Sequence, residues 1–298
     1  MTSWFDRLRD PSEKTLGVIL LAPAFALLAL IVVYPIGKLF YNSFFDMRLS
    51  GGQGSKWAGW QNYADMIKDG AFWEATWNTV LITVVTVPGA LLVGLGLALL
   101  ANLPFKRQWP VRLALLLPWA LPLAFAGLIW AWFFHTEYGF INDVWMRFGG
   151  EPQMWLLSPV SAFTAICIAI IWKSSSFMAL ILLAGLQMIP KSLYEAAEVD
   201  GASRWQQFWQ ITIPMLMPSI VVALIFRTIT ALQTFDIPYT MTKGGPGNAT
   251  ETLAMYIHKT TIDYLDVGFG STLAVGMFVL SLVLTAVYLR HISRQESA

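Results

Sequence analysis

Six apolar runs alternate with short polar stretches along this chain. The first runs uncharged from Thr15 to Gly37, except that Tyr34-Pro-Ile-Gly-Lys-Leu-Phe carries it onward at its end. It exceeds the roughly 20 residues needed to cross hydrocarbon. A signal peptide is the competing reading, but the run is long and no small-residue cleavage site follows, so a first transmembrane helix is expected. The second span lies within Ala75–Phe105 and the third at about Leu113–Phe134, where Pro118 and Pro122 predict kinks. The fourth covers about Ser161–Met188, the fifth Met217–Tyr239 and the sixth Val267–Leu289. Residues 41–74 read as a Gly-rich external loop, with Gly51-Gly-Gln-Gly at its tip and a short helix from Asn62. Lys106, Arg107 and Arg112 bracket a tight turn at Trp109-Pro110. Polar loops are expected at 135–160 and 240–266, and Arg290-His-Ile-Ser-Arg forms the tail. Ahead of the first span, Trp4, Phe5 and Leu8 fit one amphipathic turn on a membrane surface.

Composition agrees with that pattern. Charged residues are 12% of the 298 and apolar ones 56%, with a mean hydropathy of +0.59. Soluble domains carry about 25% charge, so an all-α integral membrane protein is expected, a single transmembrane domain over 1–298. The formal net charge of +1 does not indicate a nucleic-acid partner. Fourteen Trp and nine Tyr suit membrane interfaces. The single Cys167 lies in an apolar run and cannot form an internal disulfide. Six spans put both termini on one side. Ten Lys and Arg fall on that side and seven on the other, with Lys173 and Arg227 inside spans. The positive-inside rule then places both termini in the cytoplasm.

Between the fourth and fifth spans lies a polar stretch rich in helix punctuation, Tyr194 to Pro214. Ser192 and Glu195 have capping-box spacing, so a helix is expected to start there. Gly201 supplies a turn, Ser203 and Gln206 repeat the capping box, and Pro214 closes the stretch. An L-shaped helical elbow is expected. Its residues Glu195-Ala196-Ala197, Gly201 and Ile211-Thr212-Ile213-Pro214 resemble the EAA loop of bacterial ABC importer permeases, with Ile213 in place of Leu. The bland reading is an ordinary amphipathic loop. Thr242-Lys-Gly-Gly-Pro-Gly-Asn-Ala-Thr-Glu-Thr-Leu253 and the preceding Phe235-Asp236 and Tyr239 are similar to the carbohydrate-uptake branch of that family. So are Gln61-Asn-Tyr and Asn78-Thr79. The likeness covers about residues 15–291 and is nearest to the maltose/trehalose type. Asn248-Ala-Thr250 matches a glycosylation sequon and reads as loop.

Two cations interrupt the spans. Lys173 precedes Ser174-Ser-Ser in the fourth, and Arg227 lies in the fifth. A Lys or Arg at a helix centre costs about 2.5–3.5 kcal/mol on insertion scales. Neither reaches an interface easily, so both are expected to face the protein interior rather than snorkel. Arg227, Thr230 and Thr234 share a helix face by their spacing, with Gln233 adjacent. Such a stripe suits a hydroxyl-rich ligand, or alternatively helix–helix hydrogen bonding. Trp172, Phe177, Phe226 and Phe235 could stack on sugar rings or simply pack. The resemblance puts Ser174, Phe177, Arg227, Thr230, Ala231 and Thr234 at a central sugar site, and Lys173 and Gln233 join them as candidates.

The resemblance implies a type I ABC importer fold and a bacterial inner-membrane location. This chain would pair with a second, homologous permease subunit, two ATPase subunits and an external solute-binding protein. ATP and Mg would be bound by the ATPases, with no cofactor on this chain, and no phosphate-binding loop motif is present. Glu195, Ala196, Ala197 and Gly201 would form the ATPase-coupling helix, with Trp205, Phe208 and Trp209 packing the elbow onto its own spans. The expected cargo is a di- or oligosaccharide of the trehalose or maltose kind. An anionic solute such as glycerol-3-phosphate is the alternative that two mid-membrane cations leave open. An ion-coupled secondary transporter would need an intramembrane acid, for which Asp236 is the candidate. An intramembrane enzyme is disfavoured, because His135, His258 and His291 sit at or beyond span ends without metal-ligand spacing.

Overall fold

The computed structural model describes residues 13–50, 54–104 and 109–296. The expected surface turn at Trp4, Phe5 and Leu8, the loop tip at 51–53, and Lys106 and Arg107 lie outside them. Helix dominates. Among the described residues, five helices are long and apolar enough to cross a membrane, or six if one bent pair counts as a single span. The chain divides into two compact units.

The first unit holds the described residues up to Met66 together with Thr260–Val275. Helix α1 (Glu13–Leu28) and helix α2 (Tyr34–Asn42) are joined without a break by a π turn at Ala29–Val33. The turn has a local cause. Pro35 lies just beyond it, with no amide for the Ile31 carbonyl and a ring that crowds it, and the widened turn has the Tyr34 amide donating to the Ala29 carbonyl. No residue of the Leu16–Asn42 stretch is buried. Beyond it, β1 (Phe45–Asp46) pairs antiparallel with β2 (Lys56–Trp57). Strands of two residues leave no periodicity to read, so the loop expectation missed them. Asn62 fastens this unit by donating from Nδ2 to the carbonyls of Ser43 (2.9 Å) and Phe45 (3.0 Å). Arg48 pairs with Asp266 at 3.1 Å. Gly268 is required by close approach, since a Cβ there would lie 2.0 Å from the Phe45 carbonyl oxygen.

Helix α3 (Gln61–Lys68) leads to the second unit, Ile67–Lys259 with the described residues from Gly276. Its frame is α4 (Gly70–Asn102) against α8 (Pro159–Met188). Between them α5 (Trp109–Ala120), α6 (Leu123–Phe133) and the short α7 (Phe140–Arg147) follow in chain order. Helix α4 starts five residues before the expected Ala75. The Asp69 side chain caps it by accepting from the Ala71 amide at 3.0 Å, so Glu74 is helical despite its charge. Ala90, Gly94 and Ala98 recur every four residues and form a buried small-residue stripe. A Cβ on Gly94 would lie 2.9 Å from Met178 Cβ and 3.0 Å from the Ser175 carbonyl oxygen. Small residues let two membrane helices approach this closely.

Three span expectations need correction. Trp109-Pro110 is the first turn of α5 rather than a loop, because proline suits a helix start, where its missing amide has no partner to lose. The third span is broken rather than kinked, with α5 and α6 meeting at 94°. Pro122 lacks an amide and also disfavours helical geometry at Leu121, which together end α5. The fifth span ends at Leu232, in α11 (Ile213–Leu232), and a separate helix α12 (Asp236–Thr242) follows. Helix α12 packs on α6 so closely that a Cβ on Gly127 would collide with Thr240 Oγ1 at 1.8 Å. Helix α13 (Leu253–His258) and helix α14 (Val267–Glu296) complete the chain.

Candidate functional site

The elbow is built as two helices, with different caps from those expected at its start. Helix α9 (Lys191–Val199) begins after Pro190, which provides no side-chain cap. Ser192 lies inside the first turn, so the Ser192–Glu195 capping box does not form. At the other end Gly201 has φ +79°. Its amide donates to the Glu198 carbonyl at 3.1 Å and the Ala202 amide to the Ala197 carbonyl at 2.8 Å. These two bonds make a Schellman ending, which needs a left-handed residue at Gly201. Ser203 then caps α10 (Arg204–Gln207) in a complete capping box with Gln206.

Pro214 does not end the elbow. A π turn at Phe208–Thr212 carries α10 directly into α11, so Arg204–Leu232 is one continuous apolar helix. The Ile213 amide reaches the Phe208 carbonyl across that turn. Any push on the second arm is therefore a push on the span itself. The expected packing of the three elbow aromatics is also corrected. Trp205 stacks on Phe208 and Trp209 meets both edge-on, with Trp205 and Trp209 exposed. Tyr194 and Ile211 pack on the core instead, and the Tyr194 hydroxyl bonds Thr212 Oγ1 at 2.9 Å. Glu195, Ala196 and Gly201 are exposed and Ala197 half-buried, with Leu193 and Val199 presenting apolar surface beside them.

The other site is a cavity of about 550 Å³ in the second unit. That lies in the size range of small-molecule sites, about 300–1,000 Å³. Lys173, Ser174, Phe177, Arg227, Thr230, Gln233 and Thr234 all line it. Ala231 does not; it is fully buried behind the wall. Gln233 is the C-cap of α11 and Thr234 lies past it, so the stripe does not run along one helix face. The break between α11 and α12 turns Thr234, Phe235 and Asp236 toward the same space. Phe177 lies parallel to Trp119 at 6.2 Å and edge-on to Phe226 at 6.5 Å. Trp172 is not in the wall and packs edge-on to Trp130 at 5.7 Å.

The two cations differ in their partners. Lys173 Nζ donates to the carbonyls of Pro118 (2.7 Å), Trp119 (2.6 Å) and Leu121 (2.6 Å). An ammonium has three protons, so its donors are used up. Its charge also faces the negative end of α5. Arg227 is 6% exposed. Its Nη2 donates to Thr86 Oγ1 at 3.1 Å and its Nη1 to Thr230 Oγ1 at 3.3 Å, both neutral hydroxyls. Nε has no partner, and Arg227 forms no ion pair among the described residues. Buried charges are ordinarily paired, whereas this guanidinium has no acidic partner within ion-pair distance among the described residues.

Thr86, Trp119, Leu121 and Pro122 were missed as site residues. Thr86 had a signal in Thr76, Thr79, Thr83 and Thr86, spaced by three and four and all buried. The Asn78-Thr79 pair and the Gly-Gly-Pro segment, distant in sequence, meet in the fold. Asn78 Nδ2 donates to the carbonyls of Asn248 (3.1 Å) and Glu251 (3.2 Å), and Thr79 Oγ1 accepts from the Leu253 amide at 2.8 Å. No group of three or more metal-ligating side chains occurs among the described residues.

Comparison with known proteins adds the family. Residues 90–296 match the inner membrane component of binding-protein-dependent transport systems. The chain is 64% identical to a sulfoquinovosyl glycerol transport system permease protein of Agrobacterium fabrum, over 97% of this chain and 94% of that one. It is 38% identical to a trehalose/maltose transport system permease protein of Thermococcus litoralis, over 93% and 94%. A chain of a bacterial alginate ABC transporter, in complex with alginate pentasaccharide-bound periplasmic protein, shares the fold with a TM-score of 0.83 at 21% identity, over 99% and 98%. With its apolar helices, broken third span and EAA-type elbow, the chain belongs to the binding-protein-dependent inner-membrane transport family, as a multi-pass sugar ABC importer permease that is not itself an enzyme.

Proposed function

We propose that this permease carries a glycoside bearing an anionic group, of the sulfoquinovosyl glycerol kind, rather than the neutral disaccharide that the sequence first suggests. The observation that carries this reading is Arg227, a buried guanidinium at the cavity with hydroxyl partners and no carboxylate. A sulfonate would accept from its remaining donors in charge-assisted bonds, which are about twice as strong as neutral ones. Thr230, Gln233, Thr234 and Asp236 offer partners for sugar and glycerol hydroxyls, and Phe177 and Phe226 offer apolar ring faces. The relative at 64% identity is named for such a cargo, which supports the same reading.

The chain works in this reading with a second permease subunit, two ATPases that hold ATP and Mg, and an external solute-binding protein. Both termini and the elbow face the cytoplasm. Glu195, Ala196 and Ala197 seat in an ATPase groove, Gly201 sets the bend, and the continuous Arg204–Leu232 helix carries ATPase closure to Arg227 and Thr230.

A neutral trehalose- or maltose-like cargo remains the second reading. Asp236 in the cavity wall and the relative at 38% identity favour it. The test is ATPase stimulation of the assembled complex with its loaded binding protein, across sulfoquinovosyl glycerol, trehalose, maltose, a polyol and glycerol-3-phosphate. Stimulation by the sulfonated glycoside is expected. Stimulation by a neutral disaccharide alone would overturn the anionic reading.

A further inference from the structure

The second mid-membrane cation has a different task, which follows from the chemistry of the broken third span. In an unbroken helix the Pro118 carbonyl would accept from the amide of residue 122, four positions on. Residue 122 is proline and has no amide to give. The Trp119 and Leu121 carbonyls belong to the same interrupted stretch. The last carbonyls of any helix lack intrahelical partners, and burying them unpaired is costly. Lys173, from the facing α8, answers all three at 2.6–2.7 Å. Three carbonyls meet three ammonium protons, and the cation sits at the negative end of α5. Lys173 is 6% exposed, and Trp119, Leu121, Pro122 and Leu123 of the break form one wall of the cavity.

We propose that Lys173 is a positioning residue: its ammonium caps the carbonyls orphaned by Pro122 and thereby holds the bent α5–α6 pair in place as a wall of the cavity. It does not bind cargo. Trp119 carries the effect onward, because its ring lies against Phe177. The inference uses the anionic-glycoside reading only to choose substrates, and one arm of the test needs no substrate.

The test compares the parent complex with Lys173→Met and Lys173→Arg. Uptake is followed with the sulfonated glycoside and with any neutral sugar that the parent transports. Lys173→Met is expected to lower uptake of every transported substrate by a similar factor, about tenfold for loss of charge-assisted bonds to buried carbonyls. Lys173→Arg keeps cationic donors and should restore most of the loss. The substrate-free arm places Leu121→Cys in a Cys167→Ala background and follows maleimide labelling. Lys173→Met should speed labelling several-fold, because the wall is released. Pro122→Ala, which leaves Lys173 in place and returns an amide to the Pro118 carbonyl, should also change the rate. That variant keeps the test decisive if Lys173→Met does not assemble. Selective loss of the sulfonated substrate in Lys173→Met would make Lys173 a cargo ligand and overturn the proposal. Labelling that is unchanged in both Lys173→Met and Pro122→Ala would overturn it as well.

Discussion

Arg227 and Lys173 look alike as letters, each a cation in an apolar run, and the fold gives them opposite circumstances. Lys173 spends all three donors on backbone. Arg227 meets two threonine hydroxyls and keeps donors in reserve. A hydrogen bond to a charged group contributes about 1.5–3 kcal/mol, so on the anionic-glycoside reading removing the Arg227 guanidinium should weaken cargo recognition about ten- to a hundredfold. Arg227→Gln is expected to lose stimulation by the sulfonated glycoside, while Arg227→Lys keeps part of it as a point charge without the planar fork. Equal ATPase stimulation by that cargo in Arg227→Gln and in the parent would remove Arg227 from the site. Thr86 shows what a residue-by-residue reading loses. Its hydroxyl matters because Arg227 lies 141 positions away in sequence and hydrogen-bonded in space.

At the scale of elements, prolines were read correctly as disturbances and incorrectly as to their kind. Pro122 breaks a span at 94°, whereas Pro214 is absorbed by a π turn and leaves a continuous helix. At Pro122 a lysine from another helix donates to the carbonyls of the break, whereas ahead of Pro214 the backbone ladder itself shifts, the Ile213 amide donating to the Phe208 carbonyl. Gly201 is the clearest element-level prediction. A Cβ there meets nothing within 4 Å, so space is not the constraint. The constraint is φ +79°, which costs a branched residue about 1–2 kcal/mol. Gly201→Val should loosen the Schellman ending and tilt α9, leaving ATP hydrolysis that no longer drives uptake. The measurement is transport per ATP hydrolysed in proteoliposomes, and an unaltered ratio counts against a coupling role.

For the whole molecule, alternation of apolar and polar runs was enough to expect an all-α membrane protein, and the family match agrees. Sidedness is testable on the chain as it stands, since Cys167 is its only cysteine. In a Cys167→Ala background, Val199→Cys (88% exposed) and Phe148→Cys (86% exposed) report on the elbow and on the end of α7. An impermeant maleimide should label Phe148→Cys in intact spheroplasts and Val199→Cys only after permeabilisation. The reverse pattern would invert the orientation drawn from ten basic residues against seven.

The sequence by itself determined the class, the approximate spans, the elbow and most of the polar residues that line the cavity. These follow from local rules: a run of some 20 apolar residues must cross hydrocarbon, and Gly201 and the Ser203–Gln206 pair act within a few positions of themselves. Only the tertiary structure decided that Ala231 is behind the wall, that the third span is bent apart, and that Lys173 donates to backbone carbonyls while Arg227 donates to two threonine hydroxyls. Those outcomes depend on which buried donor meets which orphaned acceptor across helices 50 or more residues apart, as for Lys173 and Pro118. In a membrane interior, that pairing decides what a charge is for.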